Sequence, residues 1–157
     1  MSAGRLTGAR VLRVEDPGLL TGRSRFTADM TVAGGAHAVF VRSPHPHARL
    51  GPVDTGAARA AAGVVGVFIH ADLAAVLPTL SPTPFPDLLA PDHTALASDA
   101  VRFVGDPVVL VVAEERAQAE DAAERVTVDY EPLAALADVD VARTVDAPVL
   151  WPALGTN

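Results

Sequence analysis

Five histidines, carboxylate pairs at Glu114-Glu115 and Glu120-Asp121, and a serine in Gly22-Arg23-Ser24-Arg25-Phe26 are the residues in this sequence that could do chemistry. His45 and His47 stand two apart, and in an extended segment residues so spaced share a face, as two ligands of one metal would. No third ligand of suitable type lies near them in sequence. A turn whose histidines bond to backbone or meet a partner surface, with Arg49 beside them, is therefore the expected reading. His37, His70 and His93 are isolated and read as structural or solvent-exposed. Ser24 lacks the second glycine and the preceding strand of a nucleophile elbow, so hydrolysis has no support. The carboxylate pairs fall in a stretch of helical periodicity, where they read as a solvated face rather than as a general acid and base. Gly105-Asp106-Pro107 is the most informative short stretch. Glycine permits a bend or a close approach, the flanks are strongly apolar, and proline removes a ladder donor. A turn is expected there ahead of a ligand-facing loop, with Gly105 and Asp106 in a tight bend joining two core strands.

The elements that must position these residues fit a chain of 157 residues, half of them hydrophobic and a fifth charged. That length and balance suit one folded core. Twelve arginines, no lysine and nineteen acidic residues give a net charge of −7, which repels nucleic acid phosphate and anionic membrane surfaces. The missing lysine excludes Schiff-base chemistry and a phosphate loop of the GK[ST] kind. The absence of cysteine excludes disulfides and thiolate ligation within this chain. No apolar run approaches the ~20 residues of a membrane span, and no secretory signal is evident, so a cytoplasmic location is expected.

Residues 1–30, polar and rich in glycine, read as an extended arm with turns at Asp16-Pro17-Gly18 and Thr21-Gly22-Arg23. Strands are expected at 36–42, 48–54, 64–69, 101–104, 107–113 and 126–130, and helices at about 55–62, 71–77 and 114–125. Gly63 falls where a helix C′ residue belongs. In the last helix Ala119, Ala122, Ala123 and Val126 form a small-residue stripe suited to close approach to a sheet, and Asp121 and Arg125 are spaced as an ion pair. Five prolines between Pro78 and Pro91 mark a loop. The order is β-β-α-β, loop, β-β-α-β. It predicts an α+β body over 31–143, with a mixed sheet and helices on one side, and an extended tail over 144–157 anchored by Trp151.

Taken in order, the motifs resemble a known family. Arg13-Val14-Glu15-Asp16, Leu19-Leu20-Thr21-Gly22-Arg23 and Phe26-Thr27-Ala28-Asp29 are similar to the opening of a molybdenum hydroxylase large subunit. That family comprises xanthine dehydrogenase, aldehyde oxidase and carbon monoxide dehydrogenase, and the opening is nearest the carbon monoxide dehydrogenase-like branch. The likeness continues through Ala38–His45, then His47-Ala48-Arg49, with Pro46 departing from the alanine usual there, and is strongest over Val101–Val108. It closes with Val128-Asp129-Tyr130-Glu131-Pro132-Leu133, Leu150-Trp151-Pro152 and Gly155-Thr156-Asn157.

The resemblance implies an α/β-hammerhead domain with a structural role. It would pack on the molybdopterin-binding domains of the large subunit and on iron–sulfur and FAD subunits. Molybdopterin cytosine dinucleotide and the catalytic glutamate would lie in domains beyond Asn157. No catalytic, cofactor-binding or metal residue is therefore expected here, and Gly105-Asp106 would sit near a substrate passage of the assembled enzyme. Isolated, the chain is expected to be inactive and to self-associate through exposed apolar surface. Either a shortened chain or a split gene would account for the separation from those domains. The alternative is a free-standing binding or scaffold protein that kept the fold.

Overall fold

A computed structural model describes residues 8–30, 32–77, 79 and 91–157, and the chain divides into two compact units, Met1–Gly35 and Ala36–Asn157. The proline-rich loop expected over 78–91 lies, except for Thr79 and Pro91, outside the described residues.

The first unit is built from local hydrogen bonds rather than from a core. Asp16-Pro17-Gly18, expected as a turn, begins a short helix, α1 (Asp16–Leu20), because proline in the first helical turn has no amide that needs a partner. The Thr21 hydroxyl donates to the Pro17 carbonyl at 2.6 Å, and the Arg23 amide donates to Gly18 O at 2.9 Å. A 3-10 turn, Thr27–Asp29, follows, with the Phe26 amide donating to the Asp29 carboxylate at 2.9 Å. Val14, Leu20 and Phe26 stay exposed.

The second unit keeps the expected order: β1 (His37–Arg42), β2 (Ala48–Asp54), α2 (Gly56–Arg59), β3 (Val64–Phe68), α3 (His70–Leu73), β4 (Ala100–Val101), β5 (Pro107–Ala113), α4 (Arg116–Ala123), β6 (Thr127–Pro132) and α5 (Val139–Ala142). The single mixed sheet does not form. The strands sort into two antiparallel sheets, β1-β5-β3 and β4-β2-β6. Two features of the chain enforce this. Pro44 and Pro46 between β1 and β2 prevent a tight hairpin, and the connection Thr55–Gly63 is shorter than the dozen or so residues a parallel crossover needs. Each sheet therefore takes the first and third strands of one β-β-α-β half and the second strand of the other.

One core joins the two sheets. Val67, Val109, Val111 and Ala113 come from the first sheet, Ala48 and Val101 from the second, and Ala58, Ala119 and Ala122 from the helices. The small residues of α4 let it lie close against β1 and β5. The Glu115 amide opens that helix by donating to Gln118 Oε1 at 3.1 Å. The expected Asp121–Arg125 pair does not form, because the helix ends at Ala123; the ion pair is instead Arg116–Glu120 at 2.8 Å.

Register decides what each face of the first sheet presents. Val41 and Val39 lie opposite Val109 and Val111 on the core side, whereas Phe40 and Phe68 both lie opposite Leu110, and Ala38 opposite Val112, on the other side. Phe40, Phe68, Leu110 and Val112 are apolar too, yet none packs against the core cluster. Phe40 is 42% exposed, with the Arg42 guanidinium 5.3 Å from its ring centre.

The packing of α4 generates a test. Ala119→Leu should destabilise the domain by about 1–3 kcal/mol, since the added atoms have no room against the sheet. Ala117→Leu, on the exposed side of the same helix, should stay within about 0.5 kcal/mol of the parent. Chemical denaturation of both variants measures the difference.

Candidate functional site

β4 stops at Val101 instead of running on to Val104, because the Arg102 amide donates to the Asp106 carboxylate (Oδ2, 3.0 Å) rather than to a neighbouring strand. The chain turns through Arg102–Asp106 and enters β5 at Pro107. Gly105 sits at φ 92° and nothing lies within 4 Å of where its Cβ would be, so backbone strain rather than a clash selects glycine. The bend is fastened to the end of β1. The Gly105 amide donates to Ser43 O at 2.8 Å, the buried Ser43 amide donates to Asp106 O at 2.9 Å, and Arg42 Nη1 donates to Gly105 O at 2.8 Å. The fixed bend leaves Phe103 and Val104 49% and 64% exposed at its tip.

Asp106 is half-buried, and desolvation holds its carboxyl above its ordinary value. The Arg102 amide hydrogen bond and the charges of Arg102 and His93 oppose that rise without cancelling it. Burial likewise pushes the Tyr130 hydroxyl up, with a hydrogen bond to Ser43 opposing and the Asp106 charge adding to it. Asp106, Arg102, His93, Thr94 and Trp151 line a small cavity of about 40 Å³.

The expected histidine turn is present, but its two rings are separated. The His45 amide donates to Ser43 Oγ at 3.0 Å, and its ring packs on Tyr130 with centroids 4.9 Å apart. His47 is buried and bonds through Nδ1 to the Ala134 carbonyl at 2.7 Å. A carbonyl only accepts, so that nitrogen carries the proton. Arg49 is exposed and lies 3.8 Å from Glu131, a pairing that contributes little in water. Among the described residues, no three His, Cys, Asp or Glu side chains converge on a point. Ligation of a metal by protein thiolates is excluded, since the chain has no cysteine, and His45 and His47 are turned to separate partners.

Arg102 and Asn157 lie within motifs of the family resemblance without standing out there as site residues; the structure gives both several side-chain hydrogen bonds. Arg102 Nε donates to Leu150 O at 2.9 Å, and its terminal nitrogens reach Asp99 at 3.3 Å and Ala100 O at 3.1 Å. Its signal from the residues alone is an arginine placed among Val101, Phe103 and Val104, where a cation has to find partners.

Two substitutions test the bend. Gly105→Val should cost on the order of 1–3 kcal/mol from positive φ alone. Asp106→Asn can keep the acceptor for the Arg102 amide while removing a desolvated charge. Because the folded-state value of Asp106 is raised, its contribution to stability is present at low pH and lost as pH rises through that value. Thermal melts should show Asp106→Asn equal to or above the parent at neutral pH, with any advantage shrinking toward pH about 4. An advantage that grows on acidification would contradict the assigned electrostatics.

Residues 21–134 match the aldehyde oxidase and xanthine dehydrogenase a/b hammerhead domain. The chain is 44% identical over 132 residues to the nicotine 6-hydroxylase large subunit of Paenarthrobacter nicotinovorans, covering 83% of this chain and 16% of that one. It is 40% identical over 143 residues to the carbon monoxide dehydrogenase large chain of Afipia carboxidovorans, covering 91% and 17%. Among solved structures, quinoline 2-oxidoreductase from Pseudomonas putida superposes with a TM-score of 0.78 at 38% identity, over 88% of this chain and 18% of that one. The chain thus spans about a sixth of the length of the relatives it matches. No helix among the described residues is long and apolar enough to cross a membrane. The fold and the family match over residues 21–134 agree, and the chain belongs to the α/β-hammerhead domain family of the molybdenum hydroxylase large subunits.

Proposed function

We propose that this chain is the structural and assembly module of a molybdenum-cofactor oxidoreductase and is not catalytic by itself. The observation that carries this reading is the second apolar face of the β1-β5-β3 sheet. A sheet face of Phe40, Phe68, Leu110 and Val112 that does not pack on the core needs cover from another layer, as sheets that are apolar on both sides do. Relatives about six times as long supply a source of that cover: the remaining domains of a large subunit. Those domains would hold molybdopterin cytosine dinucleotide, and iron–sulfur and FAD subunits would complete a cytoplasmic enzyme. The Gly105-Asp106 bend, with Phe103 and Val104 projecting, would face this remainder near the substrate passage, and the turn of His45, His47 and Arg49 would border an interface. The relatives are named for nicotine and carbon monoxide; here the substrate would be set by residues of the other domains.

Phe40→Asp tests the reading, because it charges the outer face while leaving the core untouched. In the native host, the unaltered chain should co-elute with a molybdenum-bearing polypeptide or belong to it, and the variant should lower the molybdenum recovered with the chain by about tenfold, a loss of about 1.4 kcal/mol of association. Isolated, the unaltered chain should self-associate in sedimentation, and Phe40→Asp should be monomeric. Molybdenum recovery and association state that are both indifferent to Phe40→Asp would refute the assignment of this face.

A further inference from the structure

Leu150 lies in no helix or strand, and its two backbone groups are both taken by side chains. Its amide donates to Asn157 Oδ1 at 2.9 Å, and its carbonyl accepts from Arg102 Nε at 2.9 Å. A segment outside regular structure ordinarily gives these groups to water; here a side chain 48 residues away and one 7 residues on satisfy them. Asn157 closes the other side of a loop, its Nδ2 donating to Pro148 O at 2.9 Å and to Ala142 O at 3.4 Å. Ala142 closes α5, its amide donating to Asp138 O at 3.0 Å, and Asp138 caps the start of that helix, its Oδ1 accepting from the amides of Asp140 and Val141 at 2.7 and 3.1 Å. The Trp151 ring lies beside this junction, 5.9 Å from the Arg102 guanidinium carbon and 6.3 Å from the His93 ring.

We infer that residues 142–157 form a rigid clasp, in which Arg102 and Asn157 are positioning residues that hold Leu150 from both sides. The extended tail expected from the sequence is instead a closed loop. Arg102 is the joint. Its backbone amide is tied to Asp106 in the bend and its side chain to Leu150 in the clasp, so the orientation of the bend and the direction of the chain at Asn157 are set by one residue. Arg102 is 20% exposed and is gripped from behind by Asp99, which holds its guanidinium plane in one orientation. Under the assembly reading, on which this consequence rests, the clasp fixes the angle at which a continuing polypeptide leaves the module. The clasp itself does not depend on that reading.

Trp151 is the only tryptophan in the sequence, so its fluorescence reports the clasp directly. The measurement is acrylamide quenching of the 157-residue chain, with far-UV circular dichroism to monitor the fold. Asn157→Ala removes three hydrogen bonds at an exposed position, and should raise the quenching constant about twofold without changing the circular dichroism. Arg102→Lys keeps the charge but has no Nε–H for Leu150, and should raise it by a similar factor. A double variant that gains little over either single one would show that the two act on one loop. Quenching unchanged in Asn157→Ala would overturn the clasp even if an Arg102 variant failed to fold, and Arg102→Lys at the parent value would overturn the assigned role of Arg102. Failure of assembly with the quenching results intact would overturn only the reading of the outer face.

Discussion

Pairing between the two β-β-α-β halves is the constraint on which everything else in the second unit depends. β5 is the middle strand of a sheet whose edges both come from the first half, and β2 is the middle strand of a sheet whose edges both come from the second. Neither half can satisfy its own middle strand, because the prolines after β1 and the bend after β4 prevent hairpins within a half. The ladders form only when the halves interleave. A single valine- and alanine-rich core then bonds both sheets to α4.

The same constraint places the bend and the clasp. β1 ends where β5 begins, so the Ser43 backbone is delivered to Gly105 and Asp106, and two reciprocal hydrogen bonds fasten the turn. β4 is only two residues long because the Asp106 carboxylate takes the next amide. Its brevity puts Arg102 just past the sheet edge, where its side chain can reach Leu150. The outer face follows from register: alternation along β1 and β5 buries Val39, Val41, Val109 and Val111 and necessarily turns Phe40, Leu110 and Val112 the other way. Such a face on so small a module is the physical argument for assembly.

Much of this was legible in the sequence. The alternation of β-branched runs located most strands to within a residue or two, and the Ala119-Ala122 stripe identified the helix face that the sheet covers; Gly63 is left-handed (φ 76°) but is not the helix C′ residue expected, because α2 ends at Arg59 with Ala60 as its cap. The bend at Gly105-Asp106 was visible because glycine and proline interrupt an apolar run. The division into two sheets was not, because periodicity reports which residues face a core but not which strands pair. The α1 turn was hidden because Asp-Pro-Gly begins helices as readily as turns. The junction of Leu150, Arg102 and Asn157, each of which lies in a motif of the family resemblance, was hidden for a different reason. Their partners lie 48 and 7 residues apart along the chain, and no local pattern encodes such a junction.

The central claim is that the interleaved halves make one cooperative body, which presents the bend, the clasp and the outer face together. Native-state hydrogen exchange tests it most directly. Amides in the middle strands β2 and β5 should exchange through the same opening, with equal free energies and equal denaturant dependence. If the β4-β2-β6 sheet opened by itself, at a free energy lower by about 2 kcal/mol or more, the two sheets would be separate units and the account would fail.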